Sequence, residues 1–219
     1  MLVEPSPTPL AASLREGPGA NPLPELDALL ASAAVEPRGY QRRIVSSALQ
    51  MFAGTWRGPT GEIGRPATSV LIESPTGSGK TVMGLATAAL VQRATGCRVG
   101  WVAMRRNLLH QAEAENARAG FGVDLQPISM FDKDPPPCDL LVDEAQHDAA
   151  TSMANLHCKI RPQLTLGLSA TPTAPTASSC ASSGCSATRA SRGSSRTASC
   201  RRTTTTRSRG TRPRPWRRS

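Results

Sequence analysis

Between Pro37 and Thr173 the spacing of apolar residues switches repeatedly between a helical and a strand-like pattern. Tyr40 to Phe52 places Ile44, Val45, Ala48, Met51 and Phe52 on one helical face. Thr68 to Glu73 is a short, β-branched apolar run that predicts a buried strand. Lys80 to Arg93 returns to helical spacing and stops before Gly96, and Arg98 to Met104 reads as a second strand. A helix over Arg105 to Arg118, strands over Val123 to Ile128 and Asp139 to Val142, a helix over Ala149 to Ile160 and a strand over Leu164 to Ser169 complete the series. Strands alternating with helices predict an α/β fold, a mainly parallel sheet covered by helices on both faces.

The pattern fades at both ends. Met1 to Glu36 is rich in Pro, Ala and Gly, with one short helical stretch at Glu25 to Ala34. It predicts a flexible leader. From Ala174 onward there is no Val, Ile, Leu, Met, Phe or Tyr, and Trp216 is the one large apolar residue. Such a segment has nothing with which to build a core and is expected to be disordered. The division is therefore leader 1–36, domain 37–173 and tail 174–219.

Charge sharpens that division. The net charge of +10 suggests a nucleic-acid partner, but it is unevenly placed. Eleven arginines and no acid lie after Thr173, leaving 15 basic residues against 16 acidic ones in the rest, a net −1. The basic character belongs to the tail. None of the six cysteines is in C-x-x-C spacing, and no His stands at zinc-finger distance, so free thiols in a reducing compartment are expected. The N-terminus has no basic segment leading into an apolar run, and the longest apolar run, Met83 to Val91, falls short of the ~20 residues that span a bilayer. The chain is expected to be soluble and cytoplasmic, without a membrane partner.

Two motifs carry chemistry. Ser74-Pro75-Thr76-Gly77-Ser78-Gly79-Lys80-Thr81 follows a strand and opens a helix, the setting of a phosphate-binding loop of the form G-x-x-x-x-G-K-[ST], with Ser74 in place of the first glycine. Glycines turn successive N–H groups toward one point, and the helix adds the positive end of its dipole. Lys80 would put a charge on the β- and γ-phosphates, and the Thr81 hydroxyl would ligate Mg²⁺. The second motif, Asp139-Leu140-Leu141-Val142-Asp143-Glu144-Ala145-Gln146-His147, is an apolar strand ending in paired carboxylates. Beside a phosphate loop, Asp143 would hold Mg²⁺ and Glu144 would orient and deprotonate an attacking water. A Gly/Ser turn and an exposed acidic turn are the bland alternatives. The strand–loop–helix context and the co-occurrence of the two motifs speak against them.

With these motifs the chain resembles the superfamily 2 helicases and translocases of the DEAD/DEAH group, most of all DExH-type DNA enzymes such as the type III restriction subunit. The resemblance spans Pro37 to Thr173. Pro37-Arg38-Gly39-Tyr40-Gln41 resembles the adenine-side element, which implies that Gln41 reads the base. Ser74 to Thr81 resembles motif I and implies that Thr76, Gly77, Ser78, Gly79, Lys80 and Thr81 hold ATP. Val102 to Leu109 resembles motif Ia and implies that Arg105 and Arg106 meet nucleic-acid backbone; a solvated helix start explains the two arginines equally well. Asp143-Glu144-Ala145-Gln146 resembles motif II, and Leu168-Ser169-Ala170-Thr171-Pro172 resembles motif III, which implies coupling roles for Gln146, Ser169 and Thr171. The proline after Ser-Ala-Thr tilts the implied partner toward DNA rather than RNA. His147 lines the nucleotide site or is structural, and no aromatic platform for bases is visible. The resemblance implies a RecA-like first lobe that binds ATP and Mg²⁺ and is completed by a second lobe or a partner chain carrying arginine fingers.

The tail breaks the resemblance. Its alphabet of Ser, Thr, Arg, Ala, Pro, Gly and Cys is that of GC-rich codons read out of frame. Threonine codons, read from their third base, give only Tyr, His, Asn or Asp. The leading reading is the first lobe of an ATP-dependent DNA helicase or translocase, hydrolysing ATP with Mg²⁺ when completed by a second lobe, with the tail a frameshift product; the alternative is a truncated module that holds nucleotide with little turnover. The competing readings are a functional arginine-rich arm that binds nucleic acid through salt-dependent contacts, and some other phosphate-loop ATPase.

Overall fold

The computed structural model describes residues 8–58, 60–144 and 150–170, together with the backbone of 184–189 and 198–202. Its element order is α1 (Pro9–Glu16), α2 (Pro22–Ser32), α3 (Gly39–Ala53), β1 (Ser69–Glu73), α4 (Lys80–Thr95), β2 (Val99–Ala103), α5 (Arg106–Ala119), β3 (Leu125–Ser129), β4 (Leu140–Asp143), α6 (Ala150–Ile160), β5 (Leu164–Ser169), β6 (Gly184–Arg189) and β7 (Ala198–Arg202). The strand order is β3-β2-β4-β5-β1-β6-β7. The first five strands pair in parallel, as an α/β, RecA-like domain requires.

Strand alternation sends side chains into two cores. Val99, Trp101 and Ala103 of β2, Leu140 and Val142 of β4, and Leu164, Leu166 and Leu168 of β5 pack with the buried faces of α3 and α4. Val102, Ile128 and Leu141 point the other way, onto Met153 and Leu156 of α6. Helices therefore cover both faces. Helix α4 is buried on nearly every side, and Gly84 lets it lie close to the sheet. A Cβ at that position would stand 2.9 Å from Leu168 Cδ1 and 3.0 Å from the Trp101 ring. Helices α3, α4 and α5 each stop at a left-handed glycine, Gly54, Gly96 and Gly120.

The packing of the N-terminal segment departs from the expected loose leader. The leader is not loose from residue 9 onward. Leu10, Leu14, Leu26, Leu29 and Leu30 are buried in the main core, with Leu14 and Leu26 at 0% exposure. Polar contacts fasten the same segment: Arg15 Nε donates to the Ala53 carbonyl at 3.0 Å, Arg42 pairs with Asp27, and Ala34 N–H donates to the Ala119 carbonyl at 2.9 Å. Its prolines start helices instead of breaking them, since Pro9 and Pro22 stand where the first N–H has no partner to lose. Two segments of the tail carry backbone strands. Strand β6 adds parallel to β1, and β7 returns antiparallel to it. Backbone ladders need no apolar side chains, and β1 would otherwise present an open edge. Among the described residues no helix is long and apolar enough to cross a membrane.

Candidate nucleotide site

The described parts of the phosphate-type loop and of the carboxylate motif lie at the C-terminal edge of the sheet. Glu73, the last residue of β1, is level with Ser169 of β5, while Asp143 of β4 is level with Gly167 of β5 and Val102 of β2. The phosphate-type loop after β1 and the carboxylates after β4 therefore flank one intervening strand. This is the edge at which open α/β sheets bind ligands. Backbone bonds lock the junctions: Ser74 N–H donates to the Ser169 carbonyl at 2.9 Å, and Glu144 N–H to the Val102 carbonyl at 3.1 Å.

The loop folds as its sequence demands. Gly77 (φ 78°) and Gly79 (φ 80°) occupy the left-handed region, where a side chain is strained. Gly79 then caps α4. Lys80 curls back over the loop, its Nζ donating to the carbonyls of Ser74 (3.0 Å) and Pro75 (3.1 Å). Those two oxygens occupy the ammonium as phosphate oxygens would. Thr81 Oγ1 donates to Glu144 Oε1 at 3.3 Å and so ties the start of α4 to the end of β4. Burial raises the pKa of Glu144, against the opposing pull of the Thr81 hydrogen bond and the Lys80 charge. Burial lowers that of Lys80, against the pull of Glu144. Both groups are held where their charged forms are costly, as is common in functional clefts.

Gln41 is buried at the start of α3 and reaches the same loop. Its Oε1 accepts from Arg38 N–H (2.9 Å), and its Nε2 donates to the Ser78 carbonyl (2.9 Å). One amide proton remains after these bonds for any reading of a base. The Tyr40 hydroxyl donates to the same Ser78 carbonyl at 2.7 Å. The sequence reading assigned Tyr40 no role, although an aromatic hydroxyl next to Gln41 was the available signal.

The remaining candidates are more dispersed. Thr76 lies exposed at the loop crest, and Arg105 and Arg106 are exposed after β2. Phe131, 63% exposed, lies just past the neighbouring strand β3 and presents an aromatic ring that the sequence reading did not anticipate. Ser169 and Asp143 end β5 and β4. Gln146, His147 and Thr171 lie outside the described residues.

The residues fit Mg²⁺ with ATP. Among the described residues no group of three or more His, Cys, Asp or Glu could cage a metal. A site of one hydroxyl, one carboxylate and substrate phosphates is nevertheless the usual way Mg²⁺ is held, because that ion keeps much of its hydration shell.

No curated protein matches the chain. Residues 34–126 match the family model described as type III restriction enzyme, res subunit, a stretch under half of the chain that takes in α3, the loop, α4, β2 and α5 and stops short of β4. These residues are thus similar to the superfamily 2 helicase-like, N-terminal ATP-binding domain of type III restriction enzyme res subunits.

Proposed function

We propose that this domain is the first lobe of an ATP-driven motor that acts on nucleic acid, DNA in preference to RNA. The observation that carries the reading is the convergence of Lys80, Thr81 and Glu144 at one sheet edge, with Thr81 and Glu144 in hydrogen-bond contact. ATP would lie along the loop from Thr76 to Thr81, with its base toward Gln41. Lys80 would exchange the carbonyls of Ser74 and Pro75 for the β- and γ-phosphate oxygens, a small movement of a side chain already poised over the loop. Thr81 and Asp143 would hold Mg²⁺, which when bound neutralises charge on the phosphate oxygens. Glu144, its pKa raised by burial, is suited to take a proton from the attacking water.

Coupling would run along β5. Its last residue, Ser169, holds the first N–H of the loop, so a shift at that strand end reaches the phosphate cradle directly. Gln146 and Thr171 would join it. Arg105 and Arg106 would meet nucleic-acid phosphates, with Phe131 offering a face for a base. A second lobe or a partner chain would supply the groups that stabilise charge on the transferred phosphoryl.

Two measurements test this reading. Titration of a fluorescent ATP analogue with Mg²⁺ should give saturable binding to the wild type, weakened about ten- to a hundredfold in Lys80→Ala, the range for losing a charge-assisted hydrogen bond. Equal binding by both proteins would refute the nucleotide site. Ultraviolet crosslinking of single-stranded DNA, mapped by mass spectrometry, should mark the peptide containing Arg105 and Arg106 or that containing Phe131. Crosslinks confined to residues after Thr173 would refute the nucleic-acid track.

A further inference from the structure

We propose that Tyr40 is a positioning residue of the phosphate cradle, acting through the Ser78–Gly79 peptide. The inference rests on the nucleotide-site reading above. The Ser78 carbonyl accepts two hydrogen bonds from the start of α3, from Tyr40 Oη at 2.7 Å and from Gln41 Nε2 at 2.9 Å. Two donors fill both lone pairs of a carbonyl. In a trans peptide the C=O and the following N–H point in opposite directions. Turning the Ser78 oxygen toward α3 therefore turns the Gly79 N–H away from it, into the hollow of the loop where a phosphate would rest.

The surroundings make the arrangement a built one. Tyr40 Oη accepts from Arg38 Nη1 at 3.4 Å, so its own proton is left to point at Ser78. Gln41 is oriented in turn by Arg38 N–H on its Oε1. Gly79 sits so near the Gln41 amide that a Cβ there would stand 2.5 Å from Nε2. The loop backbone at Gly79 thus packs directly on the Gln41 side chain of α3. Without the hydroxyl the peptide keeps one clamp, from Gln41, and is freer to rotate. The role predicted for Tyr40 is independent of the base, because its hydroxyl bonds the loop carbonyl of Ser78 and the Arg38 side chain.

The test compares the full-length wild type with Tyr40→Phe, using MgATP, MgGTP and Mg-tripolyphosphate. The variant should lose about three- to tenfold in affinity for all three ligands, the loss expected of one net hydrogen bond. Its thermal midpoint without ligand should fall by no more than a few degrees, about the cost of one net hydrogen bond. At saturating tripolyphosphate, the downfield shift of the Gly79 amide proton should be smaller in the variant, which a role in stability alone would not produce. The chain has a single tyrosine, so ¹³Cζ-labelled tyrosine reports its hydroxyl as one resonance. Unchanged affinity and an unchanged Gly79 shift in Tyr40→Phe would overturn the proposal while leaving the nucleotide site standing. So would a loss confined to ATP. A wild type that binds none of the three ligands would overturn the site and the proposal together.

Discussion

The hydroxyl of Thr81, at the first turn of α4, donates to the carboxylate of Glu144, just past the end of β4, across 63 positions of sequence. The contact links the ends of two strands that are not neighbours, since β5 lies between β4 and β1, the strand whose loop leads into α4. It brings a hydroxyl, a carboxylate and the nearby Lys80 ammonium to one edge of the sheet.

Glu144 should cost stability when ionised. Burial raises its folded pKa above the unfolded value, so between those two values the native state holds more protons and stability falls as pH rises. Glu144→Gln removes that penalty and keeps an acceptor for Thr81. Its melting temperature should exceed that of the wild type at pH 8, and the difference should shrink as pH drops below the ordinary glutamate range. A constant difference across pH would contradict the assignment.

The first two helices should behave as core. Leu14→Ala and Leu29→Ala each empty a site that is essentially closed to solvent, and each should cost about 2–5 kcal/mol in urea unfolding. A loose leader would tolerate both at no measurable cost.

These helices show where sequence reasoning stopped. Strands β1, β2, β4 and β5 were legible as short, largely apolar runs bounded by polar or glycine residues, as at Gly96 before β2, whereas β3 mixes Gln126, Pro127 and Ser129 with Leu125 and Ile128 and was read only approximately, as Val123 to Ile128. The loop and the carboxylates were legible because their chemistry requires particular residues at particular spacing. Helix α2 was legible in part, since the helical stretch read at Glu25 to Ala34 overlaps Pro22–Ser32, whereas α1 was hidden by the Pro-, Ala- and Gly-rich composition around it, with Leu10 and Leu14 forming an apolar face too short to stand out. The pairing of β6 with β1 left no trace in side-chain pattern, because a backbone ladder can form with Ser, Thr and Arg. The Tyr40–Ser78 bond was hidden for another reason, since it depends on how closely α3 approaches the loop.

Gly84 should set the distance between α4 and the sheet. Gly84→Val drives a branched side chain into Leu168 and the Trp101 ring, so it should cost about 1–3 kcal/mol of stability by overpacking. Because α4 carries Lys80 and Thr81, nucleotide affinity should fall as well. A stable variant with unchanged affinity would show that the helix has room to move.

Thiol reactivity should separate the described cysteines. Cys97 and Cys138 are buried, and burial pushes the Cys138 thiol up to about 11, whereas Cys158 is exposed. Iodoacetamide at pH 8 should modify Cys158 in the native chain and spare Cys97 and Cys138 until it is unfolded, because the thiolate is the reacting form. Peptide mapping reads the outcome, and early labelling of Cys138 would contradict the packing beneath α6.

Hydrogen exchange followed by mass spectrometry, with and without MgATPγS, tests the nucleotide site most directly. Bound nucleotide should slow exchange in peptides covering Ser74 to Thr81, Leu140 to Glu144 and the start of α3, and Lys80→Ala should abolish that protection at the same ligand concentration. Protection that bypasses the loop, or that survives in Lys80→Ala, would contradict the account.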